Sequence, residues 1–239
     1  MSDVLHAMQE EAYRRAAEIR AGSAYAPLAQ GPVWIGRILY EDSSISAAHR
    51  SLALSEAPTS LLSLEPANTA LHHVDAHGDG WLATSSVDNH GKHEAYAYLF
   101  PGGEIEMAGV LKVGPWMQEP RAWWPGIYEL PLLRALSMAS RYRLPAHEET
   151  PPAAPPLLLE FGPRQAAWLY MSLIAIAGTA VTGESGNGSE DAFPVPAGID
   201  ALHFAPVLLD GSAASRDSLV TSFDRIRHLV GSKATAFYL

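Results

Sequence analysis

The side chains best suited to chemistry are crowded into one short stretch, Leu71-His72-His73-Val74-Asp75-Ala76-His77-Gly78-Asp79. On a strand, alternate residues share a side, so His73, Asp75 and His77 would project together. Two imidazoles and a carboxylate suit zinc or iron, and a bound metal activates water for hydrolysis. His90, His93 and Glu94 lie a short way along and join the set if the chain folds back. Strand geometry argues the other way. Successive same-side Cα atoms stand about 6.5–7 Å apart, so three ligands from one strand meet one ion with difficulty, and the spacing matches no standard metal motif. The plainer reading is a half-exposed hairpin closed by Gly78-Asp79-Gly80, with a metal-dependent hydrolase on His73, Asp75 and His77 as the alternative.

Other catalytic signatures fail on single residues. Gly183-Glu184-Ser185-Gly186 stops short of a nucleophile elbow, because Asn187 stands where that motif needs glycine. Gly91-Lys92 is followed by His93 rather than Ser or Thr, and no G-x-G-x-x-G is present, so phosphate-binding loops are missing. His147-Glu148-Glu149 and the acids of 184–191 read as loop carboxylates rather than an acid and base pair. No cofactor is expected. Trp116, Trp123 and Trp124 lie among Pro115, Pro120 and Pro125. Tryptophans held in so stiff a segment either cap the sheet or anchor a partner. The apolar end Ala236-Phe237-Tyr238-Leu239 poses the same choice, its own core or another subunit.

Composition narrows the class. With 239 residues, 48% hydrophobic and 18% charged, the chain is globular and long enough for one large core. It has no cysteine, which removes disulfides, thiolate metal sites and cysteine nucleophiles and fits a cytoplasmic location. Acidic residues outnumber basic ones 26 to 16, so direct contact with nucleic acid is not expected. An arginine patch drawn from Arg14, Arg15, Arg141 or Arg143 would be needed for it. The one long apolar stretch, 166–181, falls short of the ~20 residues that cross a bilayer and reads as buried core.

Periodicity then supplies the elements that must hold these residues. Leu5, Met8, Ala12, Ala16 and Ile19 define the apolar face of a first helix that Gly22 closes. Glu10 with Arg14, and Glu11 with Arg15, form i,i+4 pairs on its wet side. Strands are expected at 32–40, 70–76, 80–85, 93–100 and 104–110, the last four as a meander joined by Gly-, Asn- and Asp-rich turns. A central helix within 127–143, a strand at 157–161, a strand pair over 193–209 and a last helix on Leu219, Phe223, Ile226 and Val230 follow. Residues 41–68, 145–156 and 183–191 read as irregular connections. The expected fold is a single α+β domain over 1–239: an antiparallel meander or mixed sheet with N-terminal, central and C-terminal helices packed on it.

Three stretches in this order carry a family resemblance. They are Arg14 to Gly22 running into Ala26 to Trp34, Ala95-Tyr-Ala-Tyr-Leu-Phe-Pro-Gly-Gly-Glu-Ile-Glu-Met107, and Ile127-Tyr-Glu-Leu with Pro156-Leu-Leu-Leu159. Together they resemble the region that follows the AlbA-type domain in bacterial Schlafen-like putative DNA-binding or ATP-binding proteins. The AlbA-type domain itself is not in this sequence, so no catalytic or nucleotide-binding residue carries over. The resemblance implies an accessory domain of a nucleic-acid-related or antiviral defence system. Residue chemistry and resemblance agree on a non-catalytic interaction or regulatory domain. It would be homo-oligomeric or bound to another protein, with no membrane contact, through Trp116, Trp123, Trp124, Phe237, Tyr238 and Leu239.

Overall fold

The computed structural model describes residues 3–40, 61–62, 64–100, 104–111, 167–184 and 190–208. Toward the C-terminus it describes 218–219, 221–222, 224–225 and 228–231. Helix α1 (Asp3–Arg20) buries Ala12, Ala16 and Ile19, the face its periodicity predicts. Its end is tied by Gly22 N–H donating to Ile19 O at 3.0 Å and Ser23 N–H to Glu18 O at 2.9 Å, a Schellman closure.

The strands are β1 (Val33–Tyr40), β2 (His73–His77), β3 (Gly80–Thr84), β4 (Ala95–Leu99), β5 (Ile105–Val110), β6 (Ala167–Ile174), β7 (Ala180–Glu184), β8 (Glu190–Pro194), β9 (Ala201–His203) and β10 (Val207–Leu208). Eight of them form one sheet in the order β10-β6-β1-β5-β4-β3-β2, with β9 also on β6. Every pairing is antiparallel. The class is α+β, and the meander β2-β3-β4-β5 runs as the turn residues predict. The apolar stretch 166–181 supplies β6, a strand interior to the sheet.

Alternation divides the sheet cleanly. Ala95, Ala97, Leu99, Ile105, Met107, Trp34, Ile38, Leu169, Met171 and Leu173 face one side and form the larger core. Tyr96, Tyr98, Ala108, Val110, Val33, Ile35 and Ile174 face the other, under Ala16 and Ile19 of α1. Each large buried side chain contributes roughly 1.5–3 kcal/mol. Two glycines allow close approaches within this packing. The Trp34 ring lies where a Cβ on Gly36 would be, 2.4 Å away, and Pro66 O would sit 2.6 Å from a Cβ on Gly109.

Several expectations are corrected. Within 41–68 the described residues, 61–62 and 64–68, do more than connect: Leu61, Leu64 and Ala67 belong to the larger core and Pro66–Asn68 forms a 3-10 turn on β5, while 41–60 lie outside the described residues. The span 183–191 is not all loop. Gly183 pairs with Asp191 and Glu184 with Glu190 in the β7–β8 hairpin, since backbone pairing needs no apolar side chain. The pair expected over 193–209 is the end of β8 and two short strands, β9 and β10, which both bond to β6 rather than to each other. The helix pairs also differ: Arg14 bonds Glu18, Glu11 bonds Arg37, and Arg15 turns inward. The central helix, the strand at 157–161 and the connection 145–156 lie outside the described residues. Described positions from 218 to 229 have helical backbone but do not delineate one continuous element.

Candidate functional site

A row of side chains crosses the α1 face of the sheet. Strand register sets Asp75 beside Leu82, Leu82 beside Tyr98, Tyr98 beside Glu106, Glu106 beside Arg37, and Arg37 beside Tyr170. Glu106 and Arg37 point inward because Ile105, Met107, Ile38 and Gly36 take the opposite side. Glu106 is 0% exposed and Arg37 3%. A carboxylate so deep must be paired.

Its partners come from three elements. Arg15 Nε donates to Glu106 Oε2 at 2.8 Å and Arg15 Nη2 to Oε1 at 3.0 Å. The Tyr96 hydroxyl donates to Oε1 at 2.7 Å. Arg37 Nε stands 3.7 Å from Oε2, beyond hydrogen-bond reach, and is buried with no hydrogen-bond partner. Its Nη1 reaches Glu11 Oε1 at 3.1 Å. Burial works against the charge on Arg15, but the bonds and field of Glu106 outweigh it and raise its pKa. Burial, then the Glu106 charge and the hydrogen bond to it, hold Tyr96 well above the ordinary phenol.

Aromatic rings wall the cluster. Tyr25 stacks on Tyr98 with centroids 4.0 Å apart, the Arg15 guanidinium lies 4.7 Å over Tyr25, and that of Arg37 lies 5.5 Å over Phe100. Burial, then Asp79, pushes Tyr98 up to about 12. Both oxygens of Glu106 are bonded to donors, so the carboxylate holds α1 to the sheet and has no face open to a substrate.

The histidine cluster is placed differently. His73, Asp75 and His77 do share the α1 side of β2, and all three are exposed. His77 packs edge-on to Tyr25 and Tyr98, at 6.2 and 6.1 Å. The Tyr98 hydroxyl donates to His77 O at 2.9 Å. His93 is held elsewhere, its Nδ1 donating to Ser85 O at 2.7 Å. His90 sits in a turn where Asp88 Oδ1 accepts from the N–H of His90 and of Lys92. Among the described residues, no three metal-binding side chains converge.

One close pair escaped the sequence reading. Ser172 Oγ on β6 lies 2.8 Å from His203 Nδ1 on β9, with Tyr13 stacked on the imidazole at 4.1 Å. The contact resembles a nucleophile and base, but Ser172 is 4% exposed within the sheet. Burial, then Arg225, lowers the His203 pKa. Nothing in the sequence signals this pair, since it depends on the β6–β9 register.

Of the four arginines that could contribute to a nucleic-acid patch, Arg14 is paired with Glu18 and Arg15 with Glu106. Arg141 and Arg143 lie outside the described residues, as do Ser185, 147–149, Trp116, Trp123, Trp124, Phe237, Tyr238 and Leu239. Among the described residues no helix is long and apolar enough to cross a membrane. Comparison of the chain with family models, curated proteins and solved structures gives no match.

Proposed function

We propose that this chain is a non-catalytic protein-interaction domain that offers the edge of its sheet to a partner. One observation carries the reading: β2 ends the sheet with His73, Asp75, Ala76 and His77 all exposed and no described strand beyond them. An edge strand adds a partner strand through main-chain hydrogen bonds and reads its side chains from the flanks. The buried carboxylate and the Ser172–His203 pair support the same reading, because each is engaged within the fold. The resemblance of 14–34 and 95–107 to the Schlafen-like accessory region supports a place in a bacterial nucleic-acid-related or defence system. Nothing in the geometry favours a metal-dependent hydrolase on His73, Asp75 and His77 over this.

The test is capture by the purified chain, from its host extract or from itself, with Ala76→Pro as control. Proline removes one outward N–H from an edge and is tolerated there. Capture that Ala76→Pro leaves unchanged would remove the reading.

A further inference from the structure

The β2–β3 hairpin has a two-residue turn, Gly78-Asp79, between the paired His77 and Gly80. Residues flanking such a turn exchange both backbone hydrogen bonds, and the pattern alternates from there. His77, Asp75 and His73 therefore direct their backbone groups at β3, while Val74 and Ala76 direct theirs outward. The far side of β3 agrees, since Ser85 N–H donates to Ala95 O at 2.9 Å, which turns odd residues of β3 toward β4 and even ones toward β2. No described residue bonds to the outward groups of Val74 and Ala76.

A charge on an edge strand ordinarily discourages pairing. Here the strand carries its own complement. In His73-Val74-Asp75-Ala76-His77 the carboxylate lies between two imidazoles at the spacing of one face. Two copies can pair antiparallel about a two-fold axis in three registers. Centred on Asp75, the two carboxylates oppose each other directly, which is destabilising. Centred on Ala76, Asp75 meets His77 of the other copy, but His77 is already packed against Tyr25 and Tyr98 and Val74 meets Gly78 of the turn. Centred on Val74, His73 of each copy lies opposite Asp75 of the other, twice, and the Val74 backbones exchange both hydrogen bonds. The N–H of His72 donates inward to Thr84 O at 2.8 Å, so the overlap is confined to β2 itself. The other face then sets Val74 against its counterpart beside the half-buried Trp81.

We infer that the chain forms a weak, concentration-dependent homodimer by antiparallel pairing of two β2 strands about Val74, with His73 opposite Asp75 of the second copy. This rests on the interaction reading above and names the partner as a second copy. Neither side chain is part of the buried cluster, so substitutions at both leave the fold intact.

Sedimentation equilibrium at low ionic strength tests it on the full chain and on His73→Asp, Asp75→His, the double exchange and Ala76→Pro, with circular dichroism confirming each fold. Wild type should dimerise. His73→Asp sets like charges opposite each other twice and should weaken the dimer roughly tenfold. Ala76→Pro should weaken it too. The double exchange keeps an imidazole opposite a carboxylate in the Val74-centred register, sets two imidazoles opposite each other in the Ala76-centred one, and should restore wild-type affinity. A monomer at every concentration, a dimer indifferent to His73→Asp, or a double exchange that fails to restore would each overturn the inference. A monomer that still captures another protein in an Ala76→Pro-sensitive way overturns the homodimer alone; a monomer with no such capture overturns the interaction reading as well.

Discussion

Arg15 and Glu106 close on one another through two parallel hydrogen bonds of 2.8 and 3.0 Å, across 91 positions of sequence. The pair joins the first helix to the middle of the sheet, and its planar fork-to-fork geometry fixes the helix in rotation as well as distance. Arg37, beside Glu106 in register, faces the same carboxylate at 3.7 Å. Two cations and one fully buried anion make removal of the anion costly.

Glu106→Gln should therefore destabilise the fold by about 3–5 kcal/mol, because it leaves the buried Arg15 and Arg37 with only the more exposed Glu18 and Glu11 to balance them. Urea denaturation should show a lower midpoint with an unchanged slope. Combining it with Arg15→Met should cost less than the sum of the two, with a coupling of about 1–3 kcal/mol. Strict additivity would mean the bidentate pair is not formed.

Tyr96→Phe removes the third donor to Glu106 and should cost about 1.5–3 kcal/mol, as for a hydrogen bond to a charged group. Ultraviolet titration distinguishes it from its neighbour. Tyr98 should ionise near 12, while Tyr96 should stay protonated until the protein unfolds. Early ionisation of Tyr96 would place it away from the carboxylate.

The meander, the first helix and the alternation of β4 and β5 were legible because each is a local pattern. Tyr96 and Tyr98 alternate with Ala95 and Ala97, and that period alone assigns their faces. The Arg15–Glu106 pair was not legible. Glu11 lies four residues before Arg15, so sequence spacing favours a surface pair, and only the buried position of Glu106 reverses it. The hairpin within 183–191 was missed for a similar reason, since its strands carry polar residues and pair through backbone. His73, Asp75 and His77 did fall on one side as alternation requires. Their exposure at the sheet edge follows from strand order, which no local pattern encodes.

Ala175 directly follows β6 with φ 56, in the left-handed region that a Cβ disfavours, and it is exposed. Ala175→Gly removes that steric cost and loses no packing. Its greater unfolded-state freedom offsets part of the gain. The variant should be more stable by about 0.5–1 kcal/mol, read as a higher thermal midpoint. A lower midpoint would show that the backbone there is not strained.

His203 should make the fold sensitive to mild acid. Its imidazole is stacked under Tyr13, touches Ser172 and feels Arg225, and burial ahead of that charge lowers its pKa from 6.5. The folded ring holds its proton less readily than the unfolded one, so between the lowered value and 6.5 the unfolded chain binds more protons. Stability then rises with pH across that window. The contribution is complete above 6.5 and is lost as pH falls through the folded value. Proton NMR of the His203 ring should give a midpoint below 6.5. Arg225→Gln should raise that midpoint in part, and Tyr13→Ala should raise it further by exposing the ring, since burial is the larger cause. Denaturation midpoints of Tyr13→Ala, compared with its own value at neutral pH, should fall less on mild acidification than those of wild type. A wild-type His203 midpoint at or above 6.5 would contradict the burial of this ring against Ser172.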